Sequence, residues 1–108
     1  MRSVLEEVVT YLDGELSVPV STQAPATRPQ SFVLVDPVGG NSTLDERHPE
    51  FAVQSWARTY SDAESLSREV CDAMRANPAM SGFTEPVALG YDGTHRWFQS
   101  VITMDALW

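Results

Sequence analysis

Lysine is missing from all 108 positions, and seven arginines face 15 acidic residues, for a net charge of −8. Proteins that bind nucleic-acid phosphates rely on Lys and Arg to displace counterions. A chain with the opposite balance is therefore not expected to grip nucleic acid. Cysteine occurs once, as Cys71, which excludes an intrachain disulfide and a multi-cysteine metal site and suits a reducing cytoplasm. Long apolar runs are also missing. The stretch from Phe32 to Val35 is among the longest, far short of the ~20 residues that cross a bilayer, so no membrane partner is expected. Glu6 and Glu7 interrupt the first apolar segment, which a signal peptide would keep unbroken.

What is present suffices for one core. Hydrophobic residues make up 43% of the chain, and the length is that of a single domain, spanning 1–108. Val4, Leu5, Val8, Val9 and Leu12 recur at three and four, the stripe of an amphipathic helix. Ser3 with Glu6 forms a capping box at its start, and Gly14 is the expected stop. Val18-Pro19-Val20 reads as a short edge strand, because Pro19 cannot donate to a ladder. Residues 21–30 read as a loop, residues 31–35 as a strand closed by Asp36-Pro37, and residues 39–49 as a second, polar loop. From Glu50 to Thr59 the pattern alternates, with Phe51, Val53, Ser55 and Ala57 on the core face. Ser61 and Glu64 predict a second capping box, opening a helix whose apolar face is Ala63, Leu66, Val70, Ala73 and Met74. That helix should end near Asn77-Pro78. Residues 81–86 read as loop, and Asp92-Gly93 predicts a tight hairpin between residues 87–91 and 96–104. The pattern predicts an α+β domain: a mostly antiparallel sheet of four to five strands, with two helices packed on one face.

Candidate chemistry is sparse. His48 lies in DERHPE, where Asp45, Glu46 and Glu50 are near in sequence, but the segment lacks the Gly position and ligand spacing of a calcium loop and reads as a solvated acidic loop. His95 falls in the hairpin turn and is expected to be exposed and idle. Cys71 follows Val70 on the second predicted helix, where a small buried or half-buried thiol is common, and reads as structural. Val38-Gly39-Gly40-Asn41 lacks both phosphate-loop patterns, GxGxxG and GxxxxGK, and reads as a turn. These residues predict no catalytic site, no metal and no cofactor.

The aromatic residues carry more information. Trp56 alternates away from Phe51 and Val53, and Trp97 away from Phe98 and Ile102. Two readings stand: the rings cover the sheet beneath the helices, or they anchor a neighbouring subunit, where Trp, Tyr and Arg are enriched. Trp56, Arg58, Trp97 and Trp108 are thus the candidate interface residues.

In layout the chain resembles the tail terminator family of long-tailed bacteriophages, also called tail-completion or tail-to-head joining proteins. The resemblance lies in the order of its segments: the helix VLEEVVTYL, the strand at Pro29-Gln30-Ser31-Phe32-Val33, the inner strand FAVQSWA, the central helix from Asp62-Ala63 to Val70, and a last hairpin strand at GTHRWFQSV. Nearly the whole chain is covered, although it ends in MDALW where many members carry a final basic residue. The resemblance implies a virion structural protein made in the host bacterial cytoplasm. It would form a ring, typically hexameric, at the head-proximal end of the tail and stop growth of the tube. Its partners would be further copies of itself, the major tail tube protein and a neck or head-completion protein, with the genome passing through unbound. A head-closure or other neck ring protein is the nearest alternative, and a small α+β enzyme or ligand-binding domain is a different class.

Overall fold

A computed structural model describes residues 3–27, 29–42 and 46–107. The element order is α1 (Val4–Glu15), β1 (Val20–Ser21), β2 (Ser31–Ser42), β3 (Glu46–Ala57), α2 (Tyr60–Arg75), β4 (Met80–Phe83), β5 (Val87–Tyr91), β6 (Arg96–Met104) and β7 (Ala106–Leu107). Five strands have four or more residues, and two are two-residue additions. All belong to one sheet with the order β1-β2-β3-β6-β4; β5 pairs with β6 and β7 with β3. Every pairing is antiparallel except that of β1 with β2. The α+β class and the mostly antiparallel sheet expected from the sequence are both present.

The two helices share one face of the sheet because their apolar stripes close a single core. Val8 and Leu12 of α1 and Leu66, Val70 and Met74 of α2 pack with Val33 and Val35 of β2, Phe51 and Val53 of β3, and Ile102 and Met104 of β6. Their side chains are all at most 5% exposed, so each removes most of its apolar area from water. A direct bond also ties the helices together, as the Tyr11 hydroxyl donates to the Ala73 carbonyl at 2.6 Å.

Local signals set the helix ends, not always where expected. Ser3 caps α1 by accepting the Glu6 N–H at 3.1 Å, as its spacing predicts. Gly14, however, lies inside the helix, which runs to Glu15 and ends when the Leu16 N–H bonds the Leu12 carbonyl. The cap of α2 is Thr59 and not Ser61: the Thr59 hydroxyl accepts the Asp62 N–H at 3.1 Å, which starts the helix at Tyr60.

Parts of two expected loops, 39–49 and 81–86, are strand. Residues 39–42 continue β2 across a β-bulge between Pro37 and Gly39, and residues 46–49 extend β3, with Gly40 opposite Pro49 and Asn41 opposite His48. Cross-strand hydrogen bonding outweighs the weak strand propensity of this polar segment with its two glycines. Gly39 and Gly40 take φ of +125° and +124°, a region open to glycine; a Cβ on Gly40 would stand 2.1 Å from the His48 carbonyl oxygen. Residues 81–83 likewise join β4, antiparallel to β6. The hairpin at Asp92-Gly93 is as expected, with Gly93 at φ +98°. No helix among the described residues is long and apolar enough to cross a membrane.

Candidate functional site

On the face away from the helices, the register of three strands lines up an aromatic row. Phe32 pairs with Trp56 across β2 and β3, and Trp56 with Trp97 across β3 and β6. Phe32 and Trp56 stack at 5.3 Å between centroids with planes 15° apart, and Trp56 and Trp97 at 4.1 Å with planes 14° apart. Gly90 of β5 extends the row, since it pairs with Trp97 and an added Cβ would lie 2.9 Å from that indole. The Trp56 indole N–H donates to Gln54 Oε1 at 3.2 Å, and the Gln54 amide in turn donates to Gln99 Oε1 at 3.2 Å. Phe32 and Trp56 are buried in this row, so β3 is covered on both faces near Trp56, where alternation alone predicts one.

His95 closes the row and corrects the expectation of an idle turn histidine: it is 3% exposed. Its ring lies 5.5 Å from Phe32 and 6.4 Å from Trp56 between centroids. His95 Nε2 is 2.8 Å from the Pro29 carbonyl oxygen. A carbonyl only accepts, so Nε2 carries the proton. The Thr94 hydroxyl stands 2.9 Å from Nδ1, and Asp92 Oδ1 accepts from the backbone N–H groups of Thr94 and His95 at 3.0 and 2.7 Å. The Nε2 bond ties Pro29 to the sheet. That is a structural role, since both ring nitrogens are engaged.

The other candidates also sit in structural surroundings. His48 is on β3, not in a loop, with Nδ1 2.9 Å from Asp105 Oδ1; Asp45 lies outside the described residues. Cys71 is buried, its thiol 4.0 Å from the Ser100 hydroxyl. Burial pushes the thiol pKa up, and the Ser100 contact offsets this only in part, which disfavours the reactive thiolate. Val38-Gly39-Gly40-Asn41 is strand, not a turn. Among the described residues no three His, Cys, Asp or Glu side chains gather as a metal ion would require.

Of the four candidate interface residues, the fold brings Trp56 and Trp97 together, Trp56 buried and Trp97 half-buried. Arg58 is exposed just beyond β3, and Trp108 lies outside the described residues. The apolar surface that is in fact open lies elsewhere. Tyr60, Val87, Leu89 and Tyr91 are four of the five large hydrophobic residues exposed among the described ones, and Val38 is the fifth. Tyr60, Leu89, Tyr91 and Phe98 line a hollow of about 290 Å³ with Arg96 at its side, the guanidinium 4.6 Å above the Tyr91 ring. Residues 87–91, VALGY, contain no charge, so this edge strand carries none of the charged side chains that commonly guard an edge. No protein-family model matches this chain, and no curated protein matches it.

Proposed function

We propose that the chain is a structural virion protein, and not an enzyme, that forms a ring on the head-proximal end of a phage tail. The ring, a hexamer, ends addition of the major tail tube protein and offers its other face to a neck or head-completion protein. The observation that carries this reading is the order and layering of the elements. The capped helix, the strands β2 and β3, the central helix and the terminal hairpin strand stand in the order on which the resemblance to the tail terminator family rests, and one sheet with both helices on one face is compatible with it. Support also comes from the chemistry: His48, His95 and Cys71 are engaged in structural contacts, and a ring requires shape and interface, not a nucleophile. A subunit that matches the tube on one face but presents no tube-like surface on the other terminates a repeating assembly.

In this proposal the protein needs no cofactor, resides at the head–tail junction, and lets the genome pass through a lumen lined by acidic side chains. Electron microscopy of particles labelled at this chain tests it. Label at the head-proximal end of the tail, and over-long tubes when the gene is deleted, are the expected results. Particles that lack the chain and keep normal tails overturn it.

A further inference from the structure

Two bulged residues, at opposite edges of one sheet, are both large, apolar and exposed. In β2 the register passes from Pro37 to Gly39 and leaves Val38 without a partner; in β5 it passes from Ala88 to Gly90 and leaves Leu89 without one. Each is 50% exposed. A bulge re-aims the side chain it frees and interrupts the ladder at that point, so neither edge invites simple strand addition there. The edges lie apart in the strand order: β5 borders β6, whereas β2 has outside it only β1, paired at Val33 and Leu34. Beyond that, residues 36–40 are exposed.

The two places complement each other in shape and charge. Leu89 belongs to the hollow of about 290 Å³ that also has Tyr60, Tyr91 and Phe98 in its wall, room for a valine side chain between two half-exposed phenol rings. No carboxylate lines this hollow, and Arg96 does. Arg96 pairs directly with Tyr91 of the edge strand, which puts one of the seven arginines of a −8 chain at this edge. Val38, by contrast, follows the exposed Asp36 by two positions.

We infer that Val38 of one copy of this chain seats in the Tyr60–Leu89–Tyr91 hollow of the next, with Asp36 directed to Arg96. The occupant is a second copy because, of the two exposed large hydrophobics among the described residues that do not line the hollow, Val87 belongs to β5 itself and Val38 lies on the opposite edge of the same sheet. Joining unlike edges makes a heterologous contact, which repeats head to tail and closes into a ring when the rotation allows. This rests on the ring reading above and names the contact that reading leaves open.

Single-cysteine variants test it, made in a Cys71→Ala background so that only new thiols react. Val38→Cys and Leu89→Cys are mixed at high protein concentration and oxidised. A covalent dimer in the mixture, with neither variant forming one alone, is the expected result, and Tyr91→Ala in the Leu89→Cys chain should reduce its yield about tenfold. The chain carrying both cysteines should give a ladder ending at one closed size. Dimers from Leu89→Cys alone would mean two β5 edges meet symmetrically, and no dimer in the mixture would mean the edges do not meet; either overturns the inference. Circular dichroism of each variant confirms folding, which these exposed positions should leave intact. The same cysteines in assembled particles separate the two claims. A chain present at the tail end without the Val38–Leu89 cross-link sinks the contact alone, whereas a cross-link in purified protein that never enters particles sinks the virion role alone.

Discussion

A methyl group at Gly90 would lie 2.9 Å from Cη2 and Cζ2 of Trp97, well inside ordinary van der Waals contact, so the indole would have to move. Trp97 is held at 4.1 Å against Trp56, and an offset aromatic pair contributes about 0.5–1.5 kcal/mol beyond its buried area. Gly90→Ala should therefore destabilise the fold by about 1–3 kcal/mol through overpacking and weaken the near-ultraviolet circular dichroism of the stacked indoles. An unchanged spectrum and melting curve would show that the row tolerates displacement. His95 acts at the other end of the row. His95→Ala removes a bond worth about 1 kcal/mol net and leaves a cavity beside Phe32 and Trp56. A loss of about 2–4 kcal/mol is expected, and residues 22–30 should become the first site of proteolysis. Equal protease resistance in the variant and the parent would place the anchor of that segment elsewhere.

The start of α2 separates two readings of one stretch. Ser61 and Glu64 satisfy the spacing rule for a capping box, yet Thr59 makes the bond to Asp62, because the strand β3 ends at Ala57 and the chain turns at once. Thr59→Ala should cost about 1 kcal/mol, whereas Ser61→Ala, exposed and inside the first turn, should change stability by less than about 0.5 kcal/mol. Urea denaturation of both variants checks this, and a larger effect at Ser61 would reverse the assignment. The same element shows what periodicity can deliver. Ala63, Leu66, Val70 and Met74 are buried as the spacing predicts, with Ser67 and Cys71 completing the face. The long hairpin was not legible in this way. Its distal half is polar and opens with two glycines, and its described residues are strand because the two sides pair with each other and β7 pairs with Glu46 and Arg47, a fact of partners and not of composition.

For the whole molecule, the acidic balance bears on the proposed ring and on the genome that would pass through it. Fifteen carboxylates against seven arginines oppose the counterion release that drives binding to a duplex. With a Debye length of ~8 Å at physiological salt, the repulsion acts only close to the surface, where a genome in a narrow lumen would feel it. The purified protein should show no binding to duplex DNA at 0.15 M ionic strength and none on dilution to lower salt. Tight association that falls steeply with added salt would contradict an acidic lumen.

The sequence by itself determined the fold class, both helices with their buried faces, the terminal hairpin and the acidity, because each depends on neighbours a few residues apart or on composition alone. It also put Trp56 and Trp97 on the face away from Phe51 and Phe98, by simple alternation. Only the tertiary structure decided that Phe32, Trp56, Trp97 and Gly90 form one row, that His95 is buried against it, and that Val38 and Leu89 stand out at opposite edges. Those outcomes depend on strand register and on where a bulge falls, and register is settled by which residues meet across the sheet, such as Phe32 with Trp56 and Trp56 with Trp97.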